Sequence, residues 1–146
     1  MLVYLDMCCL KRPFDDQRQA RVRLESEAVL GLLAAEGQQL QFVRSQALNL
    51  ENSRNPIRER ASRVSQWLTK QDAAQLDMEA LEKRSVELMR LGFKNFDALH
   101  IAAAEQVSVD VFATCDDRLL AAAKKNFEQI RVRVMSVLQL AQELLK

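Results

Sequence analysis

Short runs of β-forming residues alternate with longer helical stretches along this chain, and that alternation constrains its fold more than any other feature. "LVYL" at 2–5 is continuous, apolar and brief, the profile of a buried strand. "LQFV" (40–43) and "VDVFAT" (109–114) read as further strands, and "RVRV" (131–134) alternates as an edge strand does. Helical spacing runs over 15–36, closed by Gly37, and over 45–55, stopped before Pro56. It continues over 57–69, over 77–91 with Gly92 at its end, and over the Ala-rich 96–106, 117–126 and 136–145. Such alternation predicts an α/β fold with a mainly parallel sheet and helices on both faces. The helix-only stretch from 45 to 107 is long for one crossover, and predicts a helical insertion packed beside the sheet.

A chain of 146 residues can build one domain with a real core, so 1–146 is read as a single domain. Hydrophobic residues make up 49% and charged ones 28%, which places it among globular rather than disordered chains. The formal net charge of +1 excludes a globally basic nucleic-acid binder, so any such binding must use a local patch. The opening apolar run is short, has no basic leader and is broken by Asp6, unlike a signal peptide. No stretch approaches the ~18 apolar residues of a membrane span. These features predict a cytoplasmic protein with no membrane partner. Three cysteines, two of them adjacent, make a poor disulfide framework and fit reduced thiols. Cys8, Cys9, Cys115 and the single histidine, His100, are nominally four zinc ligands. The set lacks C-x-x-C spacing, and adjacent cysteines leaving a strand should point apart, so buried small hydrophobes are the expectation.

Two predicted strands end on acids: "LVYL" runs into Asp6, and "VFATC" runs into Asp116 and Asp117. In open parallel sheets ligands bind beyond the carboxyl ends of the strands, so two carboxylates delivered there make a candidate metal pair. Each acid also has a plain structural role open to it. Asp116 or Thr114 can cap the following helix, and Asp6 can be a loop acid. Asp97, in "NFDALHIAAA", can be a first-turn acid favoured by the helix dipole, and Glu51 a solvated glutamate. Gathered at one pocket, such acids repel and raise each other's pKa unless a cation joins them, and hard oxygen donors select Mg²⁺ or Mn²⁺. One histidine excludes a two-histidine nuclease. The absence of a Gly-rich loop excludes a P-loop or dinucleotide site.

In order, "VYLD" (3–6), "SQALNLE" (45–51), "FDALHIAAA" (96–104) and "TCD" (114–116) resemble the PIN domain family, more narrowly the VapC-like toxin ribonucleases of type II toxin–antitoxin systems. The resemblance spans essentially the whole chain. It implies a three-layer α/β/α fold around a central, mainly parallel sheet of four to five short strands. It implies a Mg²⁺- or Mn²⁺-dependent endoribonuclease with Asp6, Glu51, Asp97 and Asp116 as its catalytic carboxylates. Asp6, Asp97 and Asp116 would hold the metal, with Ser45 and Thr114 as supporting hydroxyls and Asp117 as the neighbouring substitute acid. It also implies an RNA substrate, a cognate antitoxin and a homodimer. Lys11, Arg12, Arg54 and Arg58 lie near the acids in sequence and are the candidate RNA-binding cations. His100, three residues after Asp97, is expected to be a hydrogen-bonded, partly buried histidine close to that acid. The competing expectation is a PIN-fold module that binds RNA or protein without cutting. A haloacid-dehalogenase-like phosphatase lacks its D-x-D-x-T, because Met7 and Cys8 follow Asp6. A response receiver lacks an acid after "LQFV".

Overall fold

The computed structural model describes residues 1–145. Among them the chain forms β1 (Leu2–Leu5), α1 (Met7–Lys11), a 3₁₀ turn (Arg12–Phe14), α2 (Ala20–Ala34), β2 (Gln41–Phe42), α3 (Gln46–Ser53) and α4 (Arg58–Leu68). It continues with α5 (Met78–Arg90), α6 (Asn95–Val107), β3 (Val111–Thr114), α7 (Asp117–Lys125), β4 (Val134–Ser136) and α8 (Val137–Leu144). The sheet has four strands in the order β2-β1-β3-β4, and every pair is parallel. Eight helices surround it in a three-layer α/β/α arrangement. The core is made by strand residues such as Val3, Leu5, Phe112 and Ala113, all fully buried.

Side-chain caps fix several helix starts. Ser45 accepts the Leu48 amide at 3.1 Å, Asp77 that of Ala80 at 3.2 Å, and Ser136 that of Gln139 at 3.1 Å. α5 stops at Gly92, whose φ of 108° lies in the left-handed region that a residue with a Cβ enters only at a cost. α6 carries Ala98 and Ala102–Ala104, all fully buried, and these small side chains fit it into the packed interior.

Three local readings are corrected. The first long helix starts at Ala20 rather than at 15, because residues 7–14 spend the strand exit on α1 and the 3₁₀ turn. The last strand is Val134–Ser136, three residues later than "RVRV" indicates, although it does lie at the sheet edge. The adjacent cysteines do not diverge. α1 begins directly after Asp6, so Cys8 and Cys9 are one helical step apart, not on opposite faces of an extended segment. No helix among the described residues is long and apolar enough to cross a membrane.

Candidate active site

At the carboxyl edge of the sheet, β1 delivers Asp6 and β3 delivers Thr114 and Asp116. Asp6 is only 4% exposed and caps α1. Its Oδ1 accepts the Met7 amide at 2.8 Å, and its Oδ2 accepts the Thr114 hydroxyl at 2.8 Å and faces Cys8 Sγ at 3.3 Å. The same Thr114 oxygen accepts the Asp116 amide at 3.0 Å. One buried hydroxyl therefore ties the acid of β1 to the chain segment bearing the acid of β3. Asp116 is also the cap of α7, accepting the Arg118 amide at 2.9 Å and, more weakly, that of Leu119 at 3.4 Å. Both cap bonds fall on Oδ1. Capping thus orients this carboxylate and leaves its Oδ2 outside the cap.

Glu51 reaches the same edge from α3, and His100 from α6. His100 does not bond Asp97, as its place in the sequence suggests. Its Nε2 meets Glu51 Oε1 at 2.7 Å and its Nδ1 meets the Tyr4 hydroxyl at 2.7 Å. Tyr4 in turn lies 2.7 Å from Ser45 Oγ. A carboxylate can only accept, so Nε2 carries the proton given to Glu51, and in the neutral imidazole Nδ1 accepts from Tyr4. Ser45 then donates to the tyrosine oxygen and accepts from the Leu48 amide, which closes the chain with every member satisfied. Tyr4, Ser45 and His100 are fully buried, and burial pushes the Tyr4 phenol far above its usual range, so the hydroxyl keeps its proton. Tyr4 also stacks on Phe112, with ring centroids 5.3 Å apart, and tilts against His100 at 5.6 Å. Tyr4 and His100 are members the sequence reading missed as partners of Glu51. The usable signal is the two-residue strand period, which puts Tyr4 on the same sheet face as Asp6.

Asp97 sits in the first turn of α6. Burial, then the charge of Asp116, push its carboxyl up to about 6; Glu51 adds to the rise, and His100 and Lys94 oppose it. Burial likewise pushes Asp6 well above the carboxylate range, with Cys8 and Asp97 adding to it and His100 and Thr114 opposing it. Asp97 thus feels Asp116 and Glu51, and Asp6 feels Asp97, although different elements carry them. Donor atoms of Asp6, Glu51 and His100 lie within 4.8 Å of one another. His100 is already committed on both nitrogens, so the oxygen atoms are the available donors. An all-oxygen donor set on a carboxylate cluster that resists ionisation fits Mg²⁺ or Mn²⁺. Asp6 and Glu51 are the acids of that group, and Asp97 and Asp116 lie outside it.

The remaining expected residues divide. Asp117 is exposed and pairs with Arg21 of α2 at 2.6 and 2.8 Å, which holds its carboxyl below the usual range. Arg12 is turned to Asp15 at 3.1 Å and to the buried Glu25 at 3.3 Å. Lys11 ends α1, while Arg54 and Arg58 are exposed, and the Arg54 guanidinium lies 5.6 Å from the Phe96 ring centroid. A cleft of about 250 Å³ opens beside Asp97 and is lined by Lys94 and Arg118. These two cations, which the sequence reading did not single out, flank the acid more directly than the four it named. Their signal was adjacency: each stands within three residues of a site acid. Comparison of the chain with protein-family models, with curated proteins and with solved structures found no match.

Proposed function

We propose that this chain is a Mg²⁺- or Mn²⁺-dependent ribonuclease of PIN-like type, acting as the toxin of a toxin–antitoxin pair. The observation that supports the reading is the gathering of donor atoms of Asp6, Glu51 and His100 within 4.8 Å of one another, with the Asp6 and Asp97 carboxyls both held up, mainly by burial. A folded chain that buries acids at such a cost is built for a cation or for proton transfer. The bound ion would lower the pKa of a water and stabilise the charge that builds on a phosphate. The chain's own groups supply the rest. Thr114 fixes the Asp6 carboxylate, the α7 amides fix Asp116, and His100 holds Glu51 through Oε1. Lys94 and Arg118, on the cleft beside Asp97, neutralise backbone phosphates of the RNA. Homodimerisation and residence in the cytoplasm belong to the same proposal.

The test is an RNA digest by purified wild type and Asp97→Asn, each with Mn²⁺ and with EDTA. Cleavage by the wild type alone, abolished by EDTA, is the expected result. Equal cleavage by both proteins refutes the assignment. The binding-module reading draws support from Asp6, whose two oxygens are both already hydrogen-bonded. RNA retention without cleavage by the wild type would establish it instead.

A further inference from the structure

The three cysteines meet at one point. Cys9 Sγ lies 3.6 Å from Cys115 Sγ, and the sulfurs of Cys8, Cys9 and Cys115 all fall within 4.8 Å of one another. Sulfurs bound to a single ion at about 2.3 Å stand roughly 3.8–4.0 Å apart. The cluster is thus within a small side-chain adjustment of a shared centre. Two elements build it: the first turn of α1 brings Cys8 and Cys9, and Cys115 follows the last residue of β3. Cys9 and Cys115 are buried and Cys8 is half-buried, and none forms a disulfide. A lone buried cysteine is an ordinary small hydrophobe. Three sulfurs in mutual contact are a donor set.

We propose that Cys8, Cys9 and Cys115 form a three-sulfur site for a thiophilic cation, monovalent copper. Thiolates select soft ions such as Cu⁺ and Zn²⁺ and reject the hard Mg²⁺ and Mn²⁺ suited to the carboxylates. Structural zinc takes four ligands in a tetrahedron, and among the described residues the group holds three. His100, the chain's single histidine, has both ring nitrogens bonded to Tyr4 and Glu51. The oxygens beside Cys8 belong to Asp6 and Thr114, which are bonded to each other at 2.8 Å. A three-coordinate, sulfur-only set is what remains, and it suits a soft monovalent ion. Binding would displace the thiol protons to solvent. Cys8 Sγ also touches Asp6 Oδ2, so the sulfur site adjoins the carboxylates without sharing a donor with them. This proposal goes beyond the ribonuclease reading and stands whether or not the chain cuts RNA.

The test uses the full chain, reduced and kept anaerobic, titrated with Cu⁺ held by a chromophoric copper chelator. The expected result is withdrawal of one Cu⁺ per chain, with a sulfur-to-metal charge-transfer band. Maleimide labelling followed by peptide mass spectrometry should find all three cysteines protected together, and Mg²⁺ should protect none. Cys9→Ala and Cys8→Ser, each checked for folding by its melting transition, should weaken binding by more than the roughly 10–100-fold that loss of an outer-shell partner costs. The Cys8 change, at a half-buried position, serves if the Cys9 variant does not fold. The proposal is overturned if no copper leaves the chelator, if a folded variant binds like wild type, or if fewer than three thiols are protected. Tighter binding of Zn²⁺ than of Cu⁺ overturns the choice of ion.

Discussion

Asp97→Asn should stabilise the protein, and the gain should depend on pH in a way fixed by the site. The Asp97 carboxyl rises from 3.8 in a free chain to about 6 in the folded one. The folded state therefore holds this proton more tightly than the unfolded state does. Well below 3.8 both states carry the proton and the group contributes nothing to the difference. As the pH climbs from there to about 6, the unfolded chain releases the proton first, and stability falls with each step. Above about 6 the whole deficit is present. Roughly two units at 1.36 kcal/mol each give about 3 kcal/mol, and the partial solvent access of this half-buried group trims that to about 2 kcal/mol. Asparagine keeps the shape and removes the charge. Urea unfolding of wild type and variant from about pH 3 to pH 8 should show curves that converge at the acid end and separate by about 2 kcal/mol at pH 8. In a chain of this size that is a shift of several degrees in melting temperature. Millimolar Mn²⁺ should close much of the gap by stabilising the wild type alone. A difference that stays constant across the pH range, or a variant less stable at pH 8, would refute the claim that Asp97 is held against its neighbours.

Tyr4→Phe should cost about 1–3 kcal/mol, read from its urea midpoint, because it strips partners from buried His100 Nδ1 and Ser45 Oγ while keeping the ring. A loss below about 0.5 kcal/mol would mean that the chain from Ser45 to Glu51 is not a connected network. Arg44 is 2% exposed, pairs with Glu36 and lies 3.7 Å from the Trp67 ring centroid. Arg44→Met should cost about 3 kcal/mol by leaving the half-buried glutamate with only the Phe42 amide as partner, and Glu36→Gln in the same background should recover part of it. Cost without recovery would place the loss in the contact with Trp67.

What the sequence made legible follows from how far apart the deciding residues lie. Strand runs, helix spacing and stops such as Gly92 act over a few neighbours, so the α/β architecture could be read from "LVYL" and the helical periods alone. Asp6 and Asp116 were legible for the same reason: a carboxylate at the exit of a strand must lie at the sheet's carboxyl edge. The bonds that tie the site's elements together were not, because they join residues separated by 41 to 108 positions. His100 shows the limit most clearly. Its position three residues after Asp97 indicates a shared helix face, and that much is local. Its true partners are chosen by the packing of α6 against α3 and β1, where the buried Tyr4 hydroxyl and Glu51 each need a nitrogen. The cysteines are free thiols as expected, and only their meeting was hidden, for a different reason. The argument that neighbours point apart assumed extended backbone, and Asp6 turns the chain into helix one residue too soon for that to hold. The residue that ends β1 thus decides two things at once: it places a carboxylate at the sheet edge, and by capping α1 it folds Cys8 and Cys9 back onto Cys115.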